Sequence, residues 1–192
     1  MPPKKRIRLD KNAVLKAAVQ LVNAEGAGAL TLSRLAEELG IQPPSLYNHI
    51  DGLAGLQKDL SILNAKMLAE RLSEAAIGKS GSELFLAAAQ AFRSHVKEQP
   101  GLYLSTLRAS GTHIEVDPEL QAEEARVLKI GMTVMASLGL KGNDAIHGLR
   151  AFRSMVHGFA SLEVAGGFGL PQDCDESFRR LVSALENGLK GA

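Results

Sequence analysis

The chain has 192 residues, 45% of them apolar, a formal net charge of +1 and one cysteine, Cys174. This composition supports a packed core in one compact domain, or in a small domain joined to a larger one; it excludes an internal disulfide framework and suits a reducing cytoplasm. No segment reaches the length of a membrane span, and no apolar run follows the charged N-terminus, so neither a membrane helix nor a signal peptide is expected.

Strand-like alternation is absent and aromatic residues make up only 4% of the chain, so an all-α fold is expected. Lys4, Lys5, Arg6 and Arg8 precede the first acid; such an arm can neutralise phosphates or serve as a solvated tail. A first helix is expected from Lys11 to Glu25, with Asp10 near its cap and Gly26 and Gly28 ending it. Val14, Ala17, Ala18, Leu21 and Val22 form its apolar stripe. In the next helix Leu32, Leu35, Ala36 and Leu39 fall at i, i+3, i+4 and i+7. Thr31 is its N-cap and Gly40 its left-handed end. Pro44 suits the first position of a third helix, while Pro43, which precedes a proline, is pushed away from helical backbone. Leu46 and Ile50 then point inward, and Ser45, Tyr47, Asn48 and His49 face out or along the flank. This order of helix, glycine turn and short polar helix is a helix-turn-helix suited to a DNA groove.

Asp51-Gly52 breaks the pattern, and six further helices are expected. They run from Leu53 to Ile77, from Glu83 to Glu98 with Ser82 as cap, from Pro100 to Ser110, from Pro118 to Leu138, from Asn143 to Ala165, and from a cap at Asp175 through Leu189. Residues 1–52 are thus read as an arm and a three-helix head, and residues 53–192 as a six-helix body. A head of about forty residues buries too little surface to stand firmly alone, so it should lean on the helical body.

Thr31-Leu32-Ser33-Arg34-Leu35-Ala36-Glu37-Glu38-Leu39-Gly40-Ile41 and Pro44-Ser45-Leu46-Tyr47-Asn48-His49-Ile50, followed by a long connector and a helical body, resemble the TetR family of bacterial repressors. The stretch from Arg153 to Glu163, with Gly166-Gly167-Phe168-Gly169, is similar to the C-terminal body known for a Trp-His-Gly signature, although Val156 replaces the tryptophan before His157 and Gly158. Many members of the family carry a phosphate-binding lysine at the start of the connector. Leu53 stands there in this chain, so that phosphate bond is missing or moves to Lys58. The resemblance implies a homodimer on a palindromic DNA operator, the last two helices pairing with those of the partner. It also implies a small-molecule effector in the body whose binding releases the DNA.

Base edges are read by donors, acceptors and apolar groups at the start of the recognition helix. Gln42, Ser45 and Asn48 supply hydrogen-bonding groups there, and Pro43 and Pro44 offer apolar contact to a thymine methyl. Tyr47 and His49 are read against the phosphate backbone or, alternatively, as a half-buried packing residue and a helix cap. Thr31 and Ser33, at a helix N-terminus, can add phosphate contacts, as can Lys4, Lys5, Arg6 and Lys58. The recognition helix has no arginine, so the commonest guanine contact is missing and affinity should rest on phosphates and two-fold repetition.

In the body, Phe85, Phe92, Tyr103, Leu107, Met132, Met135, Phe152, Met155 and Phe159 are candidates for an apolar effector pocket or, equally, ordinary core. Phe178, Leu181, Val182 and Leu185 on the last helix are candidates for the dimer interface, and the same stripe would also serve a monomeric bundle. His157 with Gly158 suits a close helix crossing or, alternatively, a polar handle in the pocket. His95, His113, His147 and His157 do not form a metal-spaced set with Cys174, and no metal or cofactor is expected. No nucleophile elbow, phosphate-binding glycine loop or His-Glu-x-x-His stands in the sequence, and Gly166-Gly167-Phe168-Gly169 follows a helix rather than a strand. An enzyme is therefore not expected, and the remaining alternative is a helical interaction module or a regulator without an effector. The expected location is the cytoplasm, at the nucleoid.

Overall fold

The computed structural model describes residues 9–107 and 117–191. Among these every regular element is helical: α1 (Lys11–Glu25), α2 (Leu32–Leu39), α3 (Gly52–Ala76), α4 (Gly81–Glu98), α5 (Pro100–Thr106), α6 (Pro118–Ser137), α7 (Gly142–Val164) and α8 (Cys174–Lys190), with short 3-10 helices at Ala27–Ala29 and Pro43–Asn48. The all-α fold, with an N-terminal helix-turn-helix and a helical body, is the one expected from the sequence. The expected arm contacts Lys4, Lys5 and Arg6, together with Arg8, His113 and the predicted end of the fifth α-helix at Ser110, lie outside the described residues. The described residues divide into two compact units, residues 9–64 with 101–107, and residues 65–100 with 117–191.

The first unit is built on α1. Asp10 is extended and its Oδ1 accepts the Ala13 amide at 2.8 Å, satisfying one of the amides a helix start leaves open. Val14, Ala18, Leu21 and Val22 are buried along one face, on which α2 packs. The Thr31 hydroxyl oxygen accepts the Arg34 amide at 3.1 Å to begin α2. Gly40 ends it at φ 67° and ψ 34°, a left-handed conformation in which a β-carbon would be strained.

The third helix differs from its expected form. It begins at Pro43, one residue before Pro44, and is 3-10 rather than α. Gln42 is the residue that takes extended backbone before proline, at φ −83° and ψ 140°. Pro43 and Pro44 then fill the opening positions, whose N–H groups would lack a partner within the helix in any case. Leu46 and Ile50 point inward as expected, 0% and 4% exposed.

The second unit is arranged around α4, which packs against α7, α6 and α8. Phe85 on α4 and Phe152 on α7 meet edge to face with ring centroids 5.1 Å apart. The close crossing lies between α6 and α7: a β-carbon on Gly131 would stand 2.7 Å from Leu149 Cδ1. Gly158, expected to serve such a crossing, would meet nothing within 4 Å. Two caps also differ from expectation. Helix α4 starts at Gly81, so Ser82 lies inside it and accepts a bond from Lys190 Nζ at 2.9 Å. Helix α8 is capped by Asp173, which accepts the Asp175 amide at 2.9 Å, while the Asp175 carboxylate pairs with Arg93 at 2.8 Å. In both cases the boundary falls two residues earlier, the usual error in placing helix ends from pattern alone.

Candidate nucleic-acid interface

The helix-turn-helix presents a defined outer surface. With Leu46 and Ile50 holding the recognition helix from below, Tyr47 is 62% exposed and Gln42, Pro44 and Asn48 are exposed beside it. Pro43, Ser45 and His49 are half-buried along the flank. Tyr47 is thus not the half-buried packing residue of the alternative reading: its ring is largely exposed. His49 occupies the C-terminal cap position, where its backbone N–H bonds to Leu46 O at 2.8 Å, leaving the imidazole outside the helix ladder. Thr31 and Ser33 are exposed at the start of α2, a place where backbone amides and hydroxyls suit a phosphate.

Positive charge near this surface is largely committed to acids. Arg34 bonds to both carboxylate oxygens of Glu25 on α1 and also pairs with Glu37 and Glu38. The bond to Glu25 raises its already high pKa further, so Arg34 fastens α2 to α1 instead of reaching outward. Lys11 pairs with Asp59 at 2.9 Å, joining α1 to α3. Lys58 on α3 is half-buried, and Leu53, where the resemblance places a lysine, is half-buried too. What the described head offers a duplex is therefore mostly neutral hydrogen-bonding groups and one exposed aromatic ring.

The candidate effector residues do not share one unit. Phe85, Phe92, Met135, Phe152 and Phe159 are buried in the second unit, with Met132 and Met155 half-buried there. Tyr103, 3% exposed, and the half-buried Leu107 belong to the first. A cleft of about 510 Å³ opens elsewhere in the second unit, lined by Gln90, Arg93, Lys97, Asp175, Phe178 and Arg179 among others. Of the candidate dimer residues, Phe178 and Val182 are each 1% exposed within the single chain, so they belong to its own core; Leu181 is 38% exposed and Leu185 half-buried.

Residues 14–51 match the family model described as bacterial regulatory proteins, tetR family, and residues 85–185 match the tetracyclin repressor-like C-terminal domain. An uncharacterized HTH-type transcriptional regulator of Mycobacterium tuberculosis is 30% identical over 185 residues, 95% of this chain and 83% of that protein. The chain belongs to the TetR family of transcriptional regulators. A class A tetracycline repressor of Escherichia coli is 26% identical over 161 residues, 83% of this chain and 69% of the repressor. Among solved structures, a protein of unknown function from Rhodococcus sp. RHA1 superposes with a TM-score of 0.80 at 19% identity, covering 99% of this chain and 100% of that one. A TetR variant of Acinetobacter baumannii in complex with minocycline gives a TM-score of 0.68 at 25% identity, covering 95% and 97%.

Membership of the TetR family makes the chain a DNA-binding regulator, and regulators of this family are not enzymes. Among the described residues no helix is long and apolar enough to cross a membrane. Two features of this TetR-family chain escaped the sequence reading. One is the buried Arg93–Glu163 pair, whose partners lie 70 residues apart. The other is the capping of α5 by Asn23 Oδ1, which accepts the Gly101 and Leu102 amides at 2.9 and 3.1 Å. A signal for the second was present: Gln99-Pro100 opens a helix without the usual Ser, Thr, Asp or Asn before it, so an acceptor must come from elsewhere.

Proposed function

We propose that this TetR-family regulator is a repressor that binds a palindromic operator as a homodimer and leaves it when a small molecule enters the body. The observation that carries the DNA reading is the exposed Tyr47 and Asn48 on a short helix seated over the buried Leu46 and Ile50. In this reading Gln42, Pro43, Pro44, Ser45 and Asn48 meet base edges, while Thr31, Ser33, Tyr47, His49, Lys58 and the arm residues Lys4, Lys5 and Arg6 meet phosphates. Residues 1–52 are the DNA-binding domain and residues 53–192 the effector and dimerisation domain, at work in the cytoplasm on the nucleoid.

Dimerisation falls to α7 and α8, whose outer faces carry the exposed Ile146, Val164 and Leu181, with Leu185 at the edge. Phe178 and Val182 support that surface from inside the protomer. The space beside Gly158 on α7 leaves room for a partner helix, which is how the Val-His-Gly sequence here does the work of the Trp-His-Gly signature of its subgroup. The effector is apolar or amphipathic and inserts among Phe85, Phe92, Met132, Met135, Phe152, Met155 and Phe159 of the second unit. The tetracycline repressors among the relatives and the minocycline complex support a small-molecule trigger. The open cleft lined by Arg93, Lys97 and Arg179 favours a second reading, a polar effector.

Titrating genomic duplexes retained by the purified protein tests the proposal. Two protomers per duplex and affinity that falls steeply with salt support it; one protomer per duplex, or binding indifferent to salt, contradicts it.

A further inference from the structure

Helix α5 is held by a residue 78 positions earlier in the chain. Pro100 has no N–H, and the next two amides of the helix, Gly101 and Leu102, both donate to Asn23 Oδ1 at 2.9 and 3.1 Å. Asn23 sits near the end of α1, the helix on which α2 packs. The backbones are also in direct contact: a β-carbon on Gly101 would stand 1.8 Å from Val22 O and 2.6 Å from the Asn23 amide nitrogen. Further along, Asn64 Nδ2 on α3 donates to Thr106 Oγ1 at 2.9 Å, a buried bond. Both ends of α5 are therefore fastened to other helices of the first unit, although residues 65–99 separate it in sequence from Asn64.

We propose that Asn23 is a positioning residue for operator binding: its cap on α5, with the glycine contact beside it, holds α1 in the arrangement from which α2 and the recognition helix read DNA. The proposal rests on the operator-binding reading and deepens it. A fixed α1 gives the recognition helix less freedom to lose on docking, so the cap favours the bound state. By linkage, operator binding must in turn favour the cap.

The experiment uses the full chain and a duplex chosen from genomic fragments that the wild-type protein retains. Amide exchange at Gly101 and Leu102 is followed with and without that duplex, in wild type, Asn23→Ala and Asn23→Asp, alongside operator titrations and thermal melting. Aspartate keeps the accepting oxygen, and alanine removes it. The expected result is that the duplex slows exchange at both amides in wild type. Asn23→Ala should weaken operator binding at least about fivefold, the lower bound of ordinary site-to-site coupling, with the exchange of α2 amides unchanged, and Asn23→Asp should restore it. Gly101→Ala, which must separate α5 from α1, should reproduce the loss. The proposal is overturned if Asn23→Ala frees the two amides yet binds the duplex as tightly as wild type, or if the loss is accompanied by unfolding of α2. A wild-type protein that retains no fragment specifically would instead bring down the operator reading itself, and this inference with it.

Discussion

Arg93 on α4 and Glu163 on α7 form a two-pronged ion pair, Nε to Oε2 and Nη2 to Oε1, both at 2.7 Å. The guanidinium lies over the rings of Phe159 and Phe178, 5.3 and 4.8 Å from their centroids. Lys97 and Asp175 complete the cluster. One arginine thus ties α4 to α7 and to the start of α8. Both partners of the pair are mostly buried, with side chains 9% and 13% exposed, so removing Glu163 leaves a poorly hydrated guanidinium with Asp175 as its remaining carboxylate.

Glu163→Ala should therefore destabilise the protein by about 1–3 kcal/mol, since the guanidinium loses its two-pronged partner but keeps Asp175. Replacing Arg93 and Glu163 together by methionine and leucine should lose far less, because no buried charge remains. Urea unfolding of the two variants checks this; equal losses would mean that the pair's net electrostatics, not a stranded charge, sets the stability.

Acid should weaken the fold in two steps. His95 on α4 is fully buried, and burial, helped by the charge of Arg71, pushes its pKa down to about 4. An unfolded histidine titrates near about 6.5. Between these values the unfolded chain holds the extra proton, so stability is complete above about pH 6.5 and declines toward pH 4. The Glu163 carboxyl acts lower. Hydrogen bonds from Arg93 hold it below the usual range, so its contribution is present above roughly pH 4.3 and is lost as pH falls through the folded value. Calorimetry should show the melting temperature falling from pH 6.5 to pH 4, and His95→Leu should flatten that slope.

Residues of the recognition helix should separate into function and support. Tyr47→Ala combined with Asn48→Ala should change stability by no more than about 0.5 kcal/mol, since both are exposed, while operator affinity falls by roughly 1–3 kcal/mol for each base-reading side chain removed. Leu46→Ala, at a fully buried position, should cost about 2–5 kcal/mol of stability. Melting and operator titration of the same variants distinguish the two effects.

The arm should govern salt dependence. Arg34 and Lys11 are paired with acids, so in the proposed operator complex Lys4, Lys5 and Arg6 are expected to add phosphate neutralisation. Replacing these three by alanine should make the logarithmic salt slope of operator binding shallower by about 3 per protomer. An unchanged slope would make the arm a solvated tail.

Much of this architecture was legible because its determinants are local. Asp10, Thr31 and Gly40 act within one turn of their own positions, and the stripe from Val14 to Val22 shows its buried face through spacing alone. The 3-10 form of Pro43–Asn48 was not legible, since consecutive prolines restrict the backbone without choosing between helix types. Asn23 reads as an unremarkable polar residue at a helix end, because its function depends on Gly101 arriving from far along the chain. The same limit hid the burial of Phe178 and Val182: an apolar stripe records that a face is covered, not whether its own chain or a second copy covers it.

The most direct measurement is sequencing of genomic fragments retained by purified wild-type protein, set against those retained by the variant carrying Tyr47→Ala and Asn48→Ala. The wild type should enrich one inverted repeat, its half-sites spaced by about one helical turn of DNA or a multiple of it, and the variant should enrich none. Retention of the same repeat by both proteins, or no repeat with the wild type, would contradict a DNA-reading surface built on Tyr47 and Asn48.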